Sequence, residues 1–259
     1  MQFNICYNVR KMSLRKLRPM FKNPLSIILS MIQSIIWLLL FGSLFSKITN
    51  IPGFITDSYV TYLIPGILVM NALFAGVFLG MGTLYDIHVG VMERFLVAPV
   101  SRVALILSEL VSLVIIQFIQ SVIIVSIGYI IGARYSFNFF SLILFITMPI
   151  IFGMAIGTLS ISAALITQKH EAMVSVMQFF TLPLMFLSSA FMSQDLMPDW
   201  MMWISRFTPV NWVVHVGRLM MEGWENWIEW ASSTSLIIVF LVVCIVFCSK
   251  TFQIYQNRL

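Results

Sequence analysis

Six long apolar stretches decide what this chain can fold into. Residues 25–45, 59–83, 103–133, 137–166, 172–192 and 232–250 each hold at most one charged side chain. An α-helix needs about 20 largely apolar residues to cross the hydrocarbon core of a bilayer, and each stretch comes close to that length or exceeds it. Inside lipid the backbone must satisfy its own N–H and C=O groups, which a helix does within one segment. Composition agrees. The chain is 60% hydrophobic and 10% charged, where an ordinary soluble domain carries about 25% charged residues. The sequence therefore predicts an all-α integral membrane protein of six transmembrane helices, one transmembrane domain over residues 1–259. No soluble domain of any size fits beside it.

The charges between the stretches set the orientation. Arg10, Lys11, Arg15, Lys16, Arg18 and Lys22 precede the first span. Arg94 and Arg102 lie between the second and third, Lys169 between the fourth and fifth, and Lys250 and Arg258 at the end. With six spans these eleven share one side, and only Lys47, Arg134, Arg206 and Arg218 fall on the other. The positive-inside rule then puts both termini in the cytoplasm, and the inner (cytoplasmic) membrane is the expected location. Residues 1–24 have no apolar core and are not read as a cleavable signal. Lys11, Arg15, Arg18 and Lys22 recur at helical spacing around Met12 and Leu17, which predicts an amphipathic helix on the inner leaflet. Lipid anchoring and a docking role both fit it. Anionic headgroups suffice to attract it, and no nucleic-acid partner is implied.

A few polar residues stand inside the spans. Gln33 in the first should face protein, because an amide in lipid needs a partner. Glu109, near the inner end of the third, should snorkel, pair or face a wet cavity. Gln117 and Gln120 lie further along that span, and Gln117 joins Gln33 and Glu109 as a candidate intramembrane functional position. Gly76 and Gly80 are spaced for close helix contact. Six of the seven tryptophans fall between Trp200 and Trp230, so residues 193–223 belong at the outer interface. Pro198 and Pro209 are each placed to begin a short helix there, and Thr208 to cap the second.

The connection at residues 84–102 is short and broken by Pro99. Asp86, Gly90, Glu93, Arg94 and Val97 trace one helical face, and Val89, Met92, Phe95 and Leu96 the other. That pattern predicts a short helix parallel to the inner surface, ended by Pro99. Its run GVMERFLVAPVSR, residues 90–102, resembles the signature of ABC-2 type permeases, the membrane subunits of ATP-binding-cassette exporters. The matching positions are Glu93, Leu96-Val97 and Pro99-Val100-Ser101-Arg102. Where the family continues to a glycine–lysine pair, this chain has Ser108-Glu109. A second resemblance follows the fifth span. Ser188-Ser189, Pro198 with Trp200, Thr208-Pro209 and Arg218 are similar to the family's small-residue bend, proline–tryptophan hairpin and helix ending at an arginine. In the family these form a helical hairpin re-entering the outer leaflet.

The resemblance implies a permease subunit of an ATP-driven exporter, moving an amphipathic drug, lipid-linked or glycan-type substrate outward. It implies a homodimer, paired through spans one and five, with two copies of a separate ABC ATPase that holds ATP and Mg. Gly90, Glu93, Arg94, Pro99 and Arg102 would couple the chain to that ATPase. No cofactor, metal or catalytic site is expected on this chain itself. The residues agree so far as they go: there is no P-loop, and His88, His170 and His215 are widely dispersed. An ion-coupled carrier or channel is the alternative, and a non-transporting membrane scaffold a further one. Carriers commonly place ionisable groups at midmembrane, and Glu109, the one candidate, sits near one end of its span.

Overall fold

The computed structural model describes residues 5–45, 58–91, 102–192, 197–222 and 227–256, and these residues form helices without strands. In chain order they are α1 (Ile5–Lys22), α2 (Pro24–Leu44), α3 (Tyr59–His88), α4 (Arg102–Ile131) and α5 (Phe139–Thr167), followed by α6 (His170–Phe186), α7 (Asp199–Phe207), α8 (Pro209–Glu222) and α9 (Trp227–Gln256). α2 and α8 each open on a proline, where the missing N–H costs no intrahelical bond. α5 stops at Gln168, which takes a left-handed φ of 50° and closes the last turn onto Ala164 O.

α3 is the central helix and is buried along most of its length. Its closest neighbour is α5. At Gly76 an added Cβ would lie 2.8 Å from Gly153 O and 2.9 Å from Gly157 N, so the two backbones touch where both helices carry glycine. One turn on, Gly80 lies against the Ser160 backbone and hydroxyl. The spacing of Gly76 and Gly80 thus marks a real close approach. α2 and α9 lie outside this centre and expose aliphatic faces, among them Leu29, Ile36, Leu40, Val239 and Val243.

The contacts define two ends of the bundle. At the basal end α1 lies over α4, where the Ser13 hydroxyl donates to Ser108 O at 3.1 Å. Phe252 and Tyr255, late in α9, pack there with Leu105, Ile106 and Ile161. At the distal end the Tyr59 and Tyr62 hydroxyls, at the start of α3, donate to Phe191 O (2.9 Å) and Ser189 O (3.2 Å). α6 connects the two ends. It begins beside Gln168, whose carbonyl is 3.0 Å from His88 Nε2 at the basal end of α3, and it leads into the bend that holds Ser189.

Among the described residues five helices, not the expected six, are long and apolar enough on their own to cross a membrane: α2, α3, α4, α5 and α9. α6 falls short because it has only 17 residues, about 25 Å of helix. Residues 172–192 were expected to be one span, but the helix ends at Phe186. The Ser188 hydroxyl bonds Met185 O, and Asn211 accepts from the Ser189 hydroxyl at 2.6 Å, so side chains take over where the helical ladder stops. A further difference is at residues 84–88, which extend α3 instead of starting a separate surface helix. No breaker intervenes until Gly90, whose φ of +71° ends the run.

Candidate functional site

The two roots of the 84–102 connection come together at the basal end. Asp86 is in the last turn of α3, and Glu109 is two turns into α4. Lys16 of α1 reaches both: its Nζ is 3.2 Å from Asp86 Oδ2 and is also paired with Glu109 Oε1. Arg15 acts on Glu109 from the same helix. A cavity of about 20 Å³, room for one water, lies among Lys16, Thr83, Asp86, Ser108 and Glu109. Of the three outcomes open to Glu109, pairing is the one found, beside a small cavity whose other walls include the apolar Met12, Leu105, Ile106, Ile161 and Phe252. Gly90 closes α3 and Arg102 opens α4. Glu93, Arg94 and Pro99 lie outside the described residues.

A second polar centre lies deep between α2, α3 and α4. The Ser34 hydroxyl donates to Asn71 Oδ1 (3.2 Å), and Asn71 Nδ2 donates to Gln120 Oε1 (2.9 Å). Gln120 Nε2 then donates to the Ser30 hydroxyl (2.8 Å), which in turn donates to Ile27 O (2.7 Å). Each amide in this chain spends both a donor and an acceptor, which is what allows it to persist in an apolar surround. Gln117 is different. It is fully buried, and among the described residues neither amide atom has a partner, nor does the Ser121 hydroxyl one turn on. Gln33, expected to face protein, is exposed on this single chain. The buried stripe of α2 is Ile27, Met31, Ser34 and Leu38, and Gln33 lies off it. The lone Asn71 in the 30-residue run of α3 was the signal that sequence reading passed over.

At the distal end α7 and α8 form a helical corner. Pro198 stands just before α7 and Pro209 begins α8, as their positions predict. Thr208 does not cap α8. Its hydroxyl lies 3.2 Å from both Leu187 O and Ile204 O instead. Trp212 Nε1 closes the corner on Arg206 O at 2.7 Å. Trp200, Trp203 and Phe207 leave α7 exposed on its aromatic face. α8 is buried against the bundle, and Gly217 meets Pro65 of α3. From α8, Arg218 lies 3.8 Å over the Tyr62 ring and donates to Ser189 O. This arginine pins the 187–192 bend to the start of α3.

These three centres occur in a chain whose residues 7–222 match the family model described as ABC-2 type transporter. The chain belongs to the ABC-2 type transporter family. Among its relatives is the ycf38 transport permease of Cyanophora paradoxa, 30% identical over 216 residues, which are 83% of this chain and 73% of the relative. Another is the daunorubicin resistance ABC transporter permease protein DrrB1 of Streptomyces coeruleorubidus, 24% identical over 242 residues, 91% of this chain and 81% of the relative. The protein is therefore a multi-pass ABC transporter permease. Its family implies an ABC ATPase partner. The polar centres of this permease sit at three levels: at the roots of the 84–102 connection, within the bundle, and at the distal corner.

Proposed function

We propose that this permease is the membrane half of an ATP-driven exporter that works as a homodimer with two ABC ATPase subunits in the inner membrane. ATP and Mg belong to the ATPase, and this chain has no catalytic site. It crosses the membrane six times with both termini in the cytoplasm, α6 and the bend after it making the fifth crossing. The contacts made just before α6 by Gln168 and just after it by Ser189, at opposite ends of the bundle, support this count, and so does the eleven-to-four division of basic residues. The distal corner of α7 and α8 is the re-entrant hairpin at the outer leaflet. Its exposed tryptophans support that placement.

The family match over residues 7–222 carries this reading. Residues 84–102 dock on the ATPase, with Gly90, Glu93, Arg94, Pro99 and Arg102 as the coupling positions. Nucleotide-driven closure of the ATPase pair then moves the basal ends of α3 and α4. The substrate is an amphipathic drug, lipid-linked or glycan-type molecule, and two observations favour a drug with a large apolar part. The relative DrrB1 is named for daunorubicin resistance. A cavity of about 570 Å³ between α3, α5, α6, α8 and α9 is lined almost wholly by apolar side chains such as Val77, Met177, Phe180 and Phe240. That volume and lining suit a small apolar ligand.

Reconstitution with the cognate ATPase tests the coupling. Glu93→Ala should leave insertion and pull-down measurable while lowering permease-dependent ATP hydrolysis by roughly tenfold or more, the effect of one dominant charge-assisted contact. If Glu93→Ala and Pro99→Ala both hydrolyse ATP like the parent complex, residues 84–102 are not the coupling element.

A further inference from the structure

Lys16 stands apart from the other cations of its helix. Arg10, Lys11, Arg15, Arg18 and Lys22 are exposed, Arg15 acting on Glu109 from there, whereas Lys16 is partly buried and paired with two carboxylates. Those carboxylates are not on one element. Asp86 belongs to the helix that enters the 84–102 connection and Glu109 to the helix that leaves it. Asp86 also bears on Glu109 unfavourably through its like charge. Without the lysine, then, both roots of the connection would lose the ammonium they share. Ser13 and Leu17, buried on the same face of α1, fix the lysine in place, Ser13 through its bond to Ser108 O.

We propose that Lys16 is a positioning residue for coupling: it ties α1 to both roots of the 84–102 connection, so that α3, α4 and α1 move together at the basal end. This rests on the reading of residues 84–102 as the coupling element. One ammonium shared by two carboxylates gives the tether its directional property. If the roots separate, Lys16 can keep only one of them, and α1 must follow that root. A helix that served only as a lipid anchor would need its exposed cations and would not need Lys16. The tether acts over a short range in a partly dry pocket, where ion pairs are screened less than at the surface.

The test compares Lys16→Met with Arg18→Met, which removes the same charge from the exposed face. Both are reconstituted with the cognate ATPase in vesicles containing anionic phospholipid. Permease-dependent ATP hydrolysis is measured beside pull-down of the ATPase. Lys16→Met should keep the ATPase bound and lose about tenfold of the permease-dependent rate, the worth of one charge-assisted contact. Arg18→Met should behave as the parent. Lys16→Arg should restore the rate, and so should Lys16→Glu with Asp86→Lys, which keeps one cation between two carboxylates. Should Lys16→Met fail to insert, the neutral variant Lys16→Met, Asp86→Asn, Glu109→Gln removes all three charges of the bridge together and should show the same loss. A parental rate in Lys16→Met or in the neutral variant overturns the tether. Equal losses in Lys16→Met and Arg18→Met also overturn it, because general attraction of α1 to lipid would then be enough. A parent chain that leaves ATP hydrolysis unchanged is a different result: it overturns the coupling reading itself.

Discussion

Gln117 and Gln120 lie three residues apart on α4 and are satisfied in opposite ways. Gln120 bonds Asn71 and Ser30, so Gln120→Leu strips a partner from each. Interhelical hydrogen bonds in membranes average about 0.6 kcal/mol and reach about 1.7, and a loss in that range is expected in thermal unfolding in detergent. Gln117→Leu removes an amide with no partner and keeps the volume, so stability should hold or rise. A clear fall on Gln117→Leu would reveal a partner that this structure lacks. The glycines give a second contrast. A Cβ at Gly66 would meet the Ala190 backbone, while Gly82 has open space around it. Gly66→Ala should therefore cost about 1–3 kcal/mol by overpacking. Gly82→Ala should gain about 0.5–1 kcal/mol through lower chain entropy. At this scale the sequence was legible where spacing carries the signal. Gly76 and Gly80 announced their contact. Gln33 and Gln117 could not be told from Gln120, because an amide in an apolar run shows its need for a partner but not the direction of one.

The helices were legible as apolar stretches; Pro198 and Pro209 marked two of their starts, and the ends of α3 and α6 were not legible. α3 runs on to His88 because nothing in residues 84–88 breaks a helix. α6 stops early because Asn211, more than 20 residues away in sequence, binds the Ser189 hydroxyl. Such tertiary capture leaves no local mark. α1 was readable as amphipathic, but its basic face drew attention to lipid, whereas Lys16, Ser13 and Leu17 on the other side make the contacts with the bundle. The traverse of α6 gives a topology prediction. With Cys6 replaced by Ser, a cysteine at Gln168 should be labelled by an impermeant thiol reagent from the same side as one at Lys22, and a cysteine at Arg206, beyond α6, from the other. Labelling of Gln168→Cys and Arg206→Cys from one side would contradict the six-span arrangement.

As a whole molecule, the chain turns its apolar surface outward. α2 and α9 expose rows of aliphatic side chains, and α6 exposes Phe179, Phe180 and Phe186. Lipid covers such faces, and in the proposed homodimer a second copy covers those of α2 and α6. Native mass spectrometry in gentle detergent should then find two permease and two ATPase chains. The most direct measurement is transport itself. Inside-out vesicles carrying the permease and its ATPase, with a fluorescent amphipathic drug added outside as the probe, should accumulate it when ATP and Mg are added. Accumulation should vanish with a hydrolysis-dead ATPase or with either subunit omitted. Drug movement that is the same without ATP, or that follows an imposed ion gradient in vesicles lacking the ATPase, would contradict the account.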